Sequence, residues 1–258
     1  MKYFSPIREL LKISSLASAL FLSCALLPQA AHAGEWQVVP IRLDLSAGVK
    51  SGVLTVKNRS DESLNIQLKA FEWSQDQEGK DKYQETTDLI FMPKIATLDK
   101  QGEQVVRVGI KIPATSREKT YRLFIEEIPK PKKAESSSIS IAIRFGVPIF
   151  VKPLKEEIKG DIEKFEAVKG ELSAAVTNNG TAHFNITAVH FSLRNAKGDE
   201  LFSKESKGWY LLSGASRGYS ATFPAELCKE AAVAEVEVKS DKLDLKKKVE
   251  INVTSCRP

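Results

Sequence analysis

Few side chains in this 258-residue sequence are placed for reaction chemistry. Of its three histidines, His32 falls in an N-terminal segment that reads as a leader. The other two, His183 and His190, stand in "TAHFNITAVHF". They are seven residues apart and so fall on opposite faces of an ideal strand, which reads as two structural histidines rather than one metal site. No His-Glu-x-x-His, Gly-x-Ser-x-Gly or phosphate-cradling glycine loop is present. Cys228 and Cys256 are too far apart in the chain for a zinc cluster. These residues point away from an enzyme, and no metal or other cofactor is expected.

The pattern with a clear chemical use is apolar. "SSSISIAIRFGVPIFVKP", residues 136–153, places Ile139, Ile141, Ile143, Phe145, Val147 and Ile149 on every second position. A strand with that period carries them on one face. Such a strand can be lent to another protein: its main chain supplies hydrogen bonds and its alternate side chains fill pockets. It can equally pack on the core of its own domain, the commoner use of an alternating strand. The run just before it, "PKPKKAESSS", is rich in Pro, Lys and Ser and has no apolar face to bury.

The rest of the chain supplies a β scaffold. "WQVVPIRLDLS" alternates, with Val39, Ile41, Leu43 and Leu45 on one face. "GVLTVKN", "LNIQLKAFEW", "EQVVRVGIKI" and "TYRLFIEEI" follow, separated by Gly, Asn, Asp and Pro turns. The segment "KPLKEEIKGDIEKFEAVKG" interrupts the pattern as a charge-rich connection. Strands resume at "ELSAAVTNNG" and continue through "FNITAVHFSLR", "GWYLL", "YSATF", "AAVAEVEV" and "KKVEINV". This predicts an all-β chain of two immunoglobulin-like sandwiches set at an angle, residues 34–153 and 154–258.

The N-terminus reads as a secretory signal, residues 1–33. Lys2, Arg8 and Lys12 precede a short apolar stretch and a small-x-small site ending at Ala33. The competing reading is a lipoprotein acylated at Cys24. The apolar stretch is short for a membrane span, which takes about 20 apolar residues, and no stable membrane anchor is expected. Export leaves Cys228 and Cys256, either one disulfide or two buried thiols. The whole chain carries +5. Part of that charge lies in the signal, so the mature protein is only mildly basic and no nucleic acid is expected.

Five segments together resemble the periplasmic pilus chaperones, the PapD-like superfamily. "VVPIRLDLS" is similar to that family's first strand and "VLTVKN" to its second. "FMPKIATLDKQGEQVVRV" resembles its Pro-to-Arg run, "REKTYRLFIEEIP" its penultimate strand and "ISIAIRFGVPIFVKP" its last. The resemblance implies a periplasmic protein that completes a pilus or fimbrial subunit with its own last strand and delivers it to an outer-membrane usher. It implies Ile139, Ile141, Ile143 and Phe145 as the lent residues. It also implies a pair of basic residues that anchor the subunit's terminal carboxylate. Arg42 matches the first. The second position falls on Pro148, a departure that leaves Arg122 as the preferred substitute and Arg144 as another. Glu118 and Lys152 match charges that fix the domain junction. The rival reading is a secreted two-domain structural or surface component whose strands face only inward.

Overall fold

The computed structural model describes residues 36–129 and 141–251. The expected signal, Ile139 and Cys256 lie outside the described residues. The strands of the first part are β1 (Trp36–Val39), β2 (Leu43–Leu45), β3 (Ser51–Asn58), β4 (Leu64–Gln75) and β5 (Asp81–Glu85). They continue with β6 (Leu89–Met92), β7 (Ile95–Leu98), β8 (Glu103–Ile110), β9 (Lys119–Glu127) and β10 (Arg144–Val151). The second part has β11 (Gly160–Val168), β12 (Glu171–Asn178), β13 (Phe184–Asn195) and β14 (Glu200–Lys207). After these come β15 (Tyr210–Leu211), β16 (Ser216–Thr222), β17 (Ala231–Ser240) and β18 (Leu245–Glu250).

Alternation builds two sandwiches. The sheet β1-β3-β8-β6 packs on the sheet β2-β10-β9-β4-β5, to which β7 adds by pairing with β4. Leu54, Val56, Ile66, Val106, Leu123 and Ile149 are central to the core between them. The sheet β11-β12-β16 packs on β14-β13-β17-β18, with β15 paired to β13. Leu172, Val176, Phe184, Phe191, Leu193 and Val236 fill that second core. Leu123 is fully buried. Leu123→Ala is expected to cost about 3 kcal/mol, as a cavity in a packed core does, read as a lower urea midpoint with unchanged slope.

The structure corrects the strand reading in two places and extends it in a third, β4. The first segment is not one ladder. Its chain leaves β1 at Pro40, which has no amide to give a sheet, and enters the opposite sheet as β2. Trp36, Val38, Leu43 and Leu45 are therefore buried, while Val39 and Ile41 are exposed. In β4, Leu64, Ile66, Leu68 and Ala70 face the first core, but Trp73 turns to the other face and joins the second core. The charged connection after Lys152 contains β11. A bulge between Ile162 and Lys164 shifts its period, so Ile162, Phe165 and Ala167 are buried without simple alternation.

β10 is buried on both faces at its far end. Val147, Ile149 and Val151 enter the first core, and Phe150 enters the second. A strand covered on both sides reads as a continuous apolar run, which is what "GVPIFV" is. Other contacts join the sandwiches. The Gln75 amide donates to the Tyr210 carbonyl at 2.8 Å and accepts from the Leu212 amide at 3.0 Å. The Trp209 indole donates to Asp81 at 3.0 Å.

Candidate functional site: the open edge of β10

One side of β10 is fully occupied. Arg144 to Val151 pair antiparallel with Glu126 to Lys119 of β9. On the other side β2 pairs, parallel, only with Ile149 to Val151. Among the described residues, the edge from Arg144 to Pro148 has no strand beside it. The Glu127 amide donates to the Ile143 carbonyl at 3.0 Å, so these two residues form a hydrogen-bonded pair. Antiparallel alternation then directs the Phe145 and Val147 amides to β9 and the Arg144 and Gly146 amides to the open side. Pro148 stands on that side too and has no amide to present.

Burial falls off along the apolar ladder toward the loop. Val147 is 3% exposed and Phe145 36%. Ile143 is half-buried against the first core. Ile141 is 80% exposed. The Phe145 ring sits edge-on to Trp36 of β1, centroids 4.6 Å apart. The ladder thus begins inside its own sandwich and leaves it.

The basic residues share a row. Leu43 pairs with Ile149, so Arg42, one residue earlier, falls beside Pro148, and Pro148 pairs with Arg122. All three lie on the sheet face opposite the first core. Arg42 is half-exposed and held by Asp44 at 3.0 Å. Arg122 is 7% exposed. Its guanidinium lies 3.9 Å over the Trp73 ring, with Trp209 and Tyr210 of the second sandwich at 5.6 and 5.9 Å. Its Nη1 donates to the Gly146 carbonyl at 2.7 Å. Burial pulls the Arg122 pKa down, against the raising effect of Tyr83 and Asp81; a guanidinium starts so high that it stays charged. Arg144 lies elsewhere on β10, its guanidinium 3.6 Å over the Phe124 ring.

Glu118 and Lys152 do not pair with each other in the contacts they make. The Glu118 carboxylate accepts the His183 amide at 2.9 Å and sits 2.7 Å from His183 Nδ1, both side chains almost fully buried. Phe150 stacks on the His183 ring at 3.6 Å. Lys152 is 3.6 Å from Glu156, which also meets Lys242 at 3.2 Å, and Lys242 donates to the His183 carbonyl at 2.8 Å. The second-sandwich partner of Glu118 is thus His183. Cys228 is disulfide-bonded. His190, away from this junction, contacts Ser203 at 3.0 Å and Glu205 at 3.9 Å on an exposed sheet face. The second distance is too long for a hydrogen bond.

Together these features define a two-domain, immunoglobulin-like β protein with a strand edge that is unpaired among the described residues, beside the junction of its sandwiches. Residues 36–156 match the family model for pili and flagellar-assembly chaperones, PapD N-terminal domain, and in that part the chain is similar to PapD-like proteins. It is 25% identical over 179 residues to the probable fimbrial chaperone EcpB of Escherichia coli K12, covering 67% of this chain and 75% of that protein. Its fold is similar to a chain of the CsuC–CsuE chaperone–tip subunit complex from archaic chaperone–usher Csu pili of Acinetobacter baumannii. That match has a TM-score of 0.59 at 17% identity, covering 82% of this chain and 98% of that one. It is also similar to a chain of the Salmonella enterica complex of SafA pilin with the SafB chaperone, with a TM-score of 0.51 at 14% identity. That match covers 86% and 100%.

Proposed function

We propose that this protein is a periplasmic chaperone of pilus or fimbrial subunits that lends β10 and the residues before it to an incomplete client sandwich. One observation carries the reading. Among the described residues the edge of β10 is open from Arg144 to Pro148, and the apolar ladder running off it reaches an Ile141 that is 80% exposed. A free strand edge invites another strand. Alternate apolar side chains give that pairing its specificity. The lent residues are Ile139, Ile141 and Ile143, with Phe145 at the boundary of the chaperone's own core. The same exposure counts against a surface component whose strands face only inward.

The signal is residues 1–33, the client-binding domain 34–153 and the second domain 154–258. Cys228 bonds to Cys256 in this reading. Glu118 and Lys152 hold the junction, each through its own partner. Arg42 and Arg122 flank Pro148 on strands about 5 Å from it on either side, so a client carboxylate above Pro148 meets positive charge from both. Arg42 would exchange Asp44 for that carboxylate. An outer-membrane usher receives the loaded client. The later exchange for a better-fitting strand supplies the energy, so no nucleotide enters.

The test is recovery of the tagged mature protein from the periplasm of the native bacterium, with mass spectrometry of what accompanies it. A stoichiometric exported protein of one-domain size supports the reading. A protein recovered alone from cells that are building surface appendages contradicts it. Arg42→Ala is expected to lower client recovery about tenfold, the worth of one charge-assisted hydrogen bond, with unchanged thermal melting. Equal recovery would place the anchor elsewhere.

A further inference from the structure

The contacts on the two faces of residues 144–146 have a use beyond holding a strand in a sheet. On the inner face, Phe145 lies edge-on against Trp36. Trp36 belongs to the opposite sheet, where it pairs with Asn58, so this contact ties β10 across the sandwich. On the outer face, the Phe124 ring of β9 lies over Gly146. A Cβ on Gly146 would stand 2.8 Å from Phe124 Cε1, too close for any side chain. Arg144 covers the same ring at 3.6 Å and is fixed there by Glu126 at 2.8 Å. Phe71 and Tyr83 brace the ring edge-on at 5.5 and 5.2 Å. Three consecutive residues are thus gripped from both sides at the point where burial of the ladder gives out. Two residues further on, Ile143 is half-buried, and two beyond that Ile141 is open to water.

We infer that Trp36, Phe124 and Gly146 are positioning residues: they clamp β10 at 144–146 and so fix the register in which the ladder is offered to a client. This rests on the strand-lending reading above. A strand that slips by one residue turns its whole apolar face outward, so a lent strand needs a fixed point on the lender. With a rise of about 3.3 Å per residue, the clamp holds Ile143 about 7 Å and Ile141 about 13 Å beyond Phe145. Pocket spacing in the client is matched from that origin. The contacts separate by chemistry: the inner one is ring on ring, and the outer one depends on the missing Cβ and on the flat guanidinium of Arg144, which an ammonium does not reproduce.

The experiment uses the mature full chain and two readouts: amide hydrogen exchange of the purified protein, and client recovery from the native periplasm. In the parent, the Phe145 and Val147 amides are protected and that of Ile141 is not. Trp36→Ala and Gly146→Ala should each speed exchange at Phe145 at least tenfold, leave β4 and β8 unchanged, and cut client recovery at least tenfold. Trp36→Phe, which keeps a ring, should restore both. If Trp36→Ala also exposes β4 and β8, the sandwich has opened, and Arg144→Lys, on the half-exposed outer face, carries the test with a smaller loss in the same two readouts. Protection at Phe145 within twofold of the parent, or a loosened strand with undiminished recovery, would overturn the clamp. A parent that captures no client overturns the lending reading itself, and the clamp's role falls with it.

Discussion

Ile141→Asp should abolish client capture while leaving the chaperone folded. Position 141 is 80% exposed in the free protein, so a carboxylate there meets water and melting should shift by less than about 2 °C, as exposed substitutions do. In the complex the same carboxylate would enter an apolar groove with no partner. That costs at least about 3 kcal/mol, or roughly a hundredfold in affinity. Val147→Asp is the contrasting case. Val147 is 3% exposed in the first core, so this variant should fail to fold before it fails to bind. Thermal melting of both purified proteins, beside client recovery from the periplasm, separates the two. Wild-type capture by Ile141→Asp would remove this side chain from the lent set.

Glu118→Ala should be among the most damaging single changes outside the cores. The carboxylate is almost fully buried and takes both the main-chain amide and Nδ1 of His183. Removing it strands two buried groups on the second sandwich. Among the described residues His183 Nε2 already has no hydrogen-bond partner, so the ring has no other hydrogen bond to fall back on. The expected cost is about 3 kcal/mol, or about 6–12 °C in melting for a chain of this size. His183→Ala should cost nearly as much, because it leaves the carboxylate buried without its ring partner. The double variant should cost less than the sum, since the two side chains act on each other. Strictly additive melting shifts would mean that Glu118 and His183 contribute independently of each other.

Residue patterns made the all-β architecture legible because most strands here are covered on one face. Val106 and Val108, or Tyr121, Leu123 and Ile125, alternate as half-buried strands must. The pattern misled where the chain changes sheet or neighbour. Ile41 shares a period with Leu43 and Leu45, yet it lies in the crossing between β1 and β2, just after Pro40, and ends in solvent. The bulge in β11 hid a strand inside a charged segment. Trp73 and Phe150 looked like ordinary strand residues of the first half but serve the second core, because the face on which they lie is covered by a domain whose position no local pattern encodes.

The candidate site was partly legible for the same reason. The apolar ladder announced itself by period, but period could not say that Val147 is spent on the chaperone's own core while Ile141 is free. Arg122 drew notice through the departure at Pro148, and pairing brings Arg42, Pro148 and Arg122 into one row. Trp36 and Gly146 carried no signal of their own, and His183 read only as a structural histidine. Each matters through one long-range neighbour, and a single sequence does not reveal such pairs.

The most direct test of the central claim is site-specific cross-linking in cells that are assembling their surface appendages. A photoreactive phenylalanine analogue replaces Ile141 in one strain and Val168, an exposed residue of the second sandwich, in another. Position 141 is expected to capture an exported subunit of one-domain size, and position 168 is not. Equal capture at both positions, or none at 141 in cells that go on building appendages, would contradict the claim.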